Sequence, residues 1–97
     1  MTTKEALIKV KARLAAGWTQ GSAAKDKFGY SCAPGADSAT SWCLIGALMA
    51  ENAPGAAYGA LYKVLPPGET DLSLWNDRKA RTKDEVLNLV EAAISVA

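Results

Sequence analysis

The two cysteines are the side chains in this sequence best suited to covalent chemistry. Cys43 lies near the predicted start of a helix, where the helix dipole favours a thiolate and would make it a nucleophile or a redox sensor. The alternative is that Cys43 is a small buried residue packed between Trp42 and Leu44, as free cysteines commonly are. Cys32 falls in an irregular segment, where it could be exposed or could meet Cys43.

Two short clusters of aromatic and polar residues are the candidates for a binding surface. Trp75, Asn76 and Asp77 stand just ahead of a predicted helix, and Trp18 and Gln20 follow an earlier one. In a binding surface the indoles would form stacking walls while the polar side chains bind a polar group of the partner. The alternative is that the indoles fill the core and the polar side chains hydrogen-bond loop backbone. A binding role predicts that all five side chains share one exposed patch.

Several kinds of chemistry are missing from the chain. There is no histidine, which removes the commonest general base and the usual partner of a serine or cysteine nucleophile. Two cysteines without histidine cannot form a Cys/His zinc site in one chain, and no glycine-rich phosphate loop is present. Asp77, Asp84 and Glu85 could act as paired carboxylates, but helix starts attract acids through the dipole alone. The sequence therefore predicts no catalytic residue, metal site or cofactor, and argues against enzymes generally.

Length and composition indicate one small globular domain spanning residues 1–97. The chain is 49% hydrophobic and 22% charged, as is typical of folded domains, and its length has room for one core. No secretion signal is visible at the N-terminus, and no run of about 18 uncharged apolar residues could cross a membrane. These features predict a cytoplasmic protein without a membrane partner.

The charge balance bears on possible partners. The formal net charge of +1 gives no overall attraction to nucleic acid. Residues 1–30 nevertheless hold six basic side chains against two acidic ones, which leaves open a weak nucleic-acid accessory role or simply a solvated helix face. No basic stripe interleaved with aromatic residues and no helix-turn-helix pattern is recognisable. The sequence therefore argues against nucleic acid as the partner.

Four helices are predicted to position these residues. The first and last begin at capping boxes, in which Thr2 pairs with Glu5 and Thr82 pairs with Glu85. The second is capped by Ser38 or Thr40 and runs to about residue 52, and the third follows Pro54 and ends at Pro66-Pro67-Gly68. Gly46 lies inside the second helix, where it costs about 1 kcal/mol against alanine, so close contact with another backbone is the natural compensation.

The remaining segments are predicted to be irregular. Residues 18–40 lack a helical period and contain several glycines, but a short β-hairpin could form, with arms at 22–25 and 30–33 around a turn at 26–29. The aromatic residues of this segment, including Phe28 and Tyr30, predict that it is held against the core. Residues 68–81 are predicted to be a polar loop. The resulting fold class is mainly α: a compact four-helix domain with a long irregular segment at about 18–40.

Several motifs together resemble a family of small bacterial and phage-encoded proteins with no established activity. The motifs are Ala6-Leu7, Trp18-Thr-Gln-Gly21, Trp42-Cys-Leu-Ile-Gly-Ala47, Leu74-Trp-Asn-Asp77, and Arg81-Thr82 ahead of Glu85-Val86. The resemblance covers most of the chain, and residues 26–40 match least. It implies a small cytoplasmic helical domain with an accessory role, and it assigns no catalytic residue.

These observations rank three functions. A non-catalytic module that binds another protein through Trp18, Gln20, Trp75, Asn76 and Asp77 comes first. The second is a thiol-dependent enzyme or redox-responsive protein that uses Cys43. The third is the weak nucleic-acid accessory protein, which predicts binding that falls steeply with salt.

Overall fold

The chain folds into five helices and three short strands, and the computed structural model describes residues 1–97. In chain order the elements are α1 Thr3–Ala16, β1 Ala24–Asp26, β2 Ser31–Cys32, β3 Ala39–Trp42, α2 Leu44–Ala50, α3 Gly55–Val64, α4 Leu72–Asn76 and α5 Lys83–Val96. The fold is therefore mixed, with a small sheet added to a mainly helical structure. The four-helix prediction was incomplete.

The helices α1 and α5 begin where their capping boxes predict. The Glu5 carboxylate accepts from the Thr2 amide at 2.8 Å, and the Thr2 hydroxyl accepts from the Glu5 amide at 3.1 Å. Thr82 and Glu85 make the same reciprocal pair at 2.9 and 3.2 Å. Each box satisfies amides that have no partner within the helix. Helix α5 packs against both α1 and α3.

The core joins the helices to one face of the sheet. It contains 16 buried residues, and two of the three tryptophans belong to it, with Trp42 at 8% and Trp75 at 4% exposure. The largest fully buried side chains are Leu7, Leu14, Leu44, Leu48, Leu61, Leu72, Val10, Val86, Val90 and Asn76. Asn76 is the one polar residue among the buried residues.

The sheet has the strand order β2-β1-β3, and both pairings are antiparallel. Strands β1 and β2 form the hairpin that the sequence suggested. Ala24 lies opposite Cys32 on one side and Trp42 on the other, so this row of side chains faces the core because alternate residues of a strand point to opposite faces. A bulge between Lys25 and Asp26 interrupts the pairing of β1 with β3.

The predicted start of the second helix was wrong. Ser38 and Thr40 do not cap it: residues 39–42 form β3, and α2 starts at Leu44 with Cys43 as its N-cap. The Trp42 amide donates to the Gly17 carbonyl at 3.0 Å, and the Thr19 amide donates to the Trp42 carbonyl at 3.0 Å. Pairing with β1 and with residues 17–19 therefore overrides the helical pattern that these residues show in isolation.

A short helix replaces part of the predicted polar loop. In α4, Leu72 and Trp75 are both buried, and the Asp71 carboxylate caps the helix by accepting from the Leu74 amide at 3.0 Å. A helix of one turn contains a single repeat of its apolar spacing, so its periodicity is not visible in the sequence. None of the five helices combines the length and the apolar character needed to cross a bilayer.

The close approach predicted at Gly46 is confirmed. Gly46 is buried in α2, and a Cβ atom at this position would overlap the carbonyl oxygen of Ala23, just ahead of β1. The absence of a side chain therefore lets α2 lie directly against the chain that enters the sheet.

Candidate functional site

Four of the five predicted binding residues are joined by hydrogen bonds at the C-terminal end of α4, and Trp75 precedes Asn76 in the same helix. Trp18 Nε1 donates to Asn76 Oδ1 at 2.8 Å, and Gln20 Nε2 donates to the Asn76 carbonyl at 2.9 Å. Asn76 Nδ2 in turn donates to Asp77 Oδ1 at 2.8 Å. The hydrogen bonds thus run between the predicted residues themselves.

Asn76 is the centre of this arrangement and is fully buried. Its Oδ1 also accepts from the Leu44 amide at 3.1 Å, and its Nδ2 also donates to the Thr19 carbonyl at 3.2 Å. A primary amide offers two donors and two acceptor lone pairs, and all four are used here. We call the residues joined in this way the Asn76 network: Trp18, Thr19, Gln20, Leu44, Asn76 and Asp77.

The Asn76 network ties three parts of the chain together. It connects the segment after α1, the start of α2 and the end of α4. Two further hydrogen bonds join the segment after α1 to the residues that follow α4. The Gly21 amide donates to Asp77 Oδ1 at 3.1 Å, and Gln20 Nε2 also donates to the Arg78 carbonyl at 2.9 Å. Because Trp75 and Asn76 are buried, the network has the geometry of a structural support and holds the chain where it enters β1.

Arg81 covers the outer side of Trp75. Its guanidinium carbon lies 4.0 Å from the centroid of the indole ring, and its Nε donates to the Trp75 carbonyl at 2.9 Å. The same guanidinium forms ion pairs with Glu85 at 3.1 Å and with Glu69 at 4.0 Å. Hydrogen bonds from the Thr82 backbone lower the pKa of Glu85, so this carboxylate is ionised at neutral pH and engaged by a cap and a cation.

Cys43 is buried, with 7% of its surface exposed. Its Sγ accepts from the Gly46 amide at 3.2 Å and so caps α2. Burial raises the pKa of the Cys43 thiol, and this outweighs the lowering by amide hydrogen bonds. The neutral thiol is therefore the form present at neutral pH. Cys32 lies on the far side of β1, and both cysteines are free.

The two thiols are expected to react at very different rates. In the folded protein at about pH 7.5, a small alkylating reagent should modify the half-buried Cys32 first. Cys43 should react roughly 100-fold more slowly, because it requires a local opening costing about 3 kcal/mol. Labelling followed by mass spectrometry of the peptides measures both rates.

A Cys32→Ser variant isolates the second thiol. Rapid labelling of Cys43 in that folded variant would contradict the assignment of Cys43 as a buried N-cap and would support a function that uses its thiol.

The raised pKa of the Cys43 thiol predicts how folding stability changes with pH. The contribution of Cys43 to folding stability is intact below the thiol's ordinary pKa of about 8.5 and is lost as pH rises above it. The difference in stability between wild type and Cys43→Ser should accordingly narrow in alkali.

The hairpin tip is exposed, contrary to the prediction from the sequence. The tip, residues 25–30, was expected to be held against the core by its aromatic residues, yet Phe28 is 72% exposed and Tyr30 is 71% exposed. Lys27 Nζ lies 5.2 Å from the centroid of the Phe28 ring. Two neighbouring aromatic side chains on a hydrophilic turn are the signal that could have indicated this surface.

Asp26 fixes the conformation of the hairpin tip. Its Oδ1 accepts from the Phe28 amide at 2.9 Å and from the Tyr30 amide at 3.0 Å. The Asp26 amide donates to the Tyr30 carbonyl at 2.9 Å, and the Gly29 amide donates to the Asp26 carbonyl at 3.0 Å. Gly29 has φ of 86°, which matches a three-residue hairpin loop closed by a glycine in the left-handed region.

Two open surface grooves are also present. The larger, about 610 Å³, lies between α3 and the end of α5 and includes Tyr62 and Val96. The smaller, about 530 Å³, lies between Lys9 and Glu51 beside Trp42. Neither groove contains a predicted site residue, and no group of three or more cysteine or acidic side chains is close enough to hold a metal ion.

Comparisons with known proteins place the chain in a family. No curated protein and no solved structure matches the chain. A family model, described as a family of unknown function (DUF6197), matches residues 1–96. Because this match covers nearly the whole chain, the protein belongs to the DUF6197 family.

Proposed function

We propose that this protein is a non-catalytic interaction module that contacts a macromolecular partner through its hairpin tip. The observation that carries the proposal is the exposure of Phe28 and Tyr30, at 72% and 71%, two residues apart on one turn. An accessory role in a bacterium or phage is part of the same proposal.

Two exposed aromatic side chains on one turn offer a partner a large apolar area to cover. An aromatic side chain can bury about 150–250 Å², and such side chains dominate the energetics of interfaces. This chain does bury its large indoles, since Trp42 and Trp75 belong to the core. The aromatic pair on the tip therefore supports a surface that a partner covers.

The tip is also rigid enough to bind without a large loss of entropy. Asp26 holds the backbone of the turn through hydrogen bonds to Phe28 and Tyr30. The Asn76 network holds residues 18–21, which lead directly into β1. A preorganised contact surface loses less conformational freedom when the partner binds.

The arrangement of the remaining reactive groups supports a non-catalytic role. The Cys43 thiol is buried and serves as a helix cap. The carboxylates of Glu69 and Glu85 are paired with arginines. These groups stabilise the fold, and a reacting substrate would have to displace the contacts that they make.

Photo-crosslinking in the cells that produce the protein tests the proposal. A benzophenone amino acid at position 28 should give a covalent adduct with the partner, and the same group at the exposed position 62 on α3 should not. Nuclease treatment of the adduct then distinguishes the partners, because it shortens an adduct with a nucleic acid and leaves an adduct with a protein unchanged. Equal adduct formation at both positions, or none at position 28, would remove the hairpin tip as the contact surface.

A further inference from the structure

We infer that the hairpin tip and the adjoining sheet face bind single-stranded nucleic acid. This inference rests on the proposed function and names the class of partner. The sequence argued against nucleic acid because no basic stripe interleaved with aromatic residues is recognisable along the chain. The fold creates such a surface by bringing separate strands together beside the tip.

The outward face of the sheet is built from hydroxyl groups and a lysine. Ser31 and Ser41 lie on either side of Lys25 in the register of the three strands, one residue along from the core-facing row and hence on the opposite face. The Ser22 and Ser31 hydroxyls lie 2.6 Å apart at the edge of this face. We call Ser31, Lys25 and Ser41 the outer row; all three side chains can donate hydrogen bonds, as phosphate oxygens require.

The positive charge of this surface is not neutralised within the protein. Lys11 and Arg13 of α1 are paired with Glu91 and Glu51, whereas Lys25 and Lys27 form no salt bridge. The outer row contains no acidic residue. Asp26 is the one carboxylate of the tip, and its Oδ1 accepts from two backbone amides. Its charge offsets one of the two lysines, so two positive charges against one leave the tip with a net charge of +1. The surface is therefore weakly complementary to an anionic partner.

The exposed rings favour unpaired bases as the apolar part of that partner. Every base has a flat face that can stack on phenylalanine or tyrosine, and stacking of this kind is tolerant of sequence. In a duplex these faces are already covered by neighbouring base pairs, so the rings can reach them only in a single strand. A row of serines is poorly suited to entering a lipid surface, which favours continuous apolar side chains.

Fluorescence anisotropy with labelled 12-nucleotide oligothymidylate and oligouridylate tests the inference on the intact protein. At low salt we expect saturable binding with Kd of about 10–100 µM, because the contact is small. Phe28→Ala and Tyr30→Ala should each weaken binding by about 10-fold. The double change Lys25→Gln and Lys27→Gln should reduce the slope of log affinity against log salt by about 1.4, or about 0.7 for each lysine.

Helix α3 provides a matched control with the same residue types. Tyr62 and Lys63 are both exposed, and Tyr62→Ala with Lys63→Gln should leave the affinity unchanged. All of these substitutions alter surface side chains, and circular dichroism checks that each variant is folded.

Three results would overturn the inference: no binding to either oligonucleotide at low salt, equal binding of a 12-base-pair duplex, or equal losses in the α3 control. The inference would also be overturned if the hairpin tip bound a labelled acidic peptide and the protein did not bind single strands. That result would indicate an acidic protein as the partner. Failure of this inference and failure of the proposed function give different results. A nuclease-resistant adduct at position 28 with no oligonucleotide binding would retain the interaction module and reject the nucleic acid.

Discussion

The substitution Gly46→Ala is expected to lower the free energy of unfolding by about 1 kcal/mol, although alanine is the better helix former. A Cβ atom at this position would overlap the Ala23 carbonyl oxygen, and the backbone must move because neither atom belongs to a flexible side chain. Overpacking of this kind costs about 1–3 kcal/mol. It should exceed the gain of about 1 kcal/mol that alanine brings to a helix interior. Urea denaturation measures the difference.

Gly59→Ala is the matched control for this experiment. Gly59 lies inside α3, and a Cβ atom there meets no atom within 4 Å. Alanine should therefore stabilise the protein by about 0.5–1 kcal/mol through the helix alone. Opposite signs for the two substitutions would establish that the contact between α2 and the Ala23 carbonyl sets the requirement for glycine. A stabilising Gly46→Ala would show that α2 can shift away at little cost.

The substitution Asn76→Ala is expected to have the largest effect, a loss of about 3–5 kcal/mol. It removes the acceptor for the Leu44 amide and the Trp18 indole, and the donor to the Thr19 carbonyl. A buried polar group left without a partner costs about 1–3 kcal/mol, and here several lose theirs together. Such a loss is a large share of the total stability of an ordinary domain, about 5–15 kcal/mol.

Two further variants keep this experiment interpretable. Asn88 is exposed on α5, and Asn88→Ala should change the stability by less than about 0.5 kcal/mol.

Asn76→Asp keeps an acceptor oxygen but loses both donors and places a second carboxylate beside Asp77. Burial and that neighbouring charge would raise the pKa of the introduced carboxyl group above its value in the unfolded chain. The loss of folding stability relative to the wild type should therefore be smallest near pH 4 and grow as pH rises. A deficit independent of pH would contradict this account.

The sequence was most informative where the controlling interactions are local. The capping boxes at Thr2 and Thr82 join residues three positions apart, so the starts of α1 and α5 followed from the residue types alone. The apolar faces of these long helices repeat several times and were equally clear. The start of α2 was predicted wrongly because β3 depends on residues 17–19 and on β1, which are distant along the chain.

In the candidate site too, the sequence predicted some features and the tertiary structure decided others. Four of the five predicted side chains are joined by hydrogen bonds around the end of α4, whereas the Trp75 side chain is buried under Arg81. The pattern of types did not reveal that Asn76 would be fully buried, since burial depends on which elements close over it. The exposed positions of Phe28 and Tyr30 were also hidden, because aromatic residues in an irregular segment usually pack against a core.

By itself, the sequence determined the capped helices, the mainly apolar core and the hairpin between β1 and β2. It determined these because short-range hydrogen bonds and helical periodicity depend on residues close together in the chain. It also indicated a close backbone contact at Gly46, but only the tertiary structure supplied the partner, the Ala23 carbonyl. Only the tertiary structure decided that Cys43 is a buried helix cap, that Asn76 is a buried support and that the outer row lies beside two exposed rings. Those outcomes depend on contacts between residues far apart in the chain, and a linear pattern does not specify which of them form.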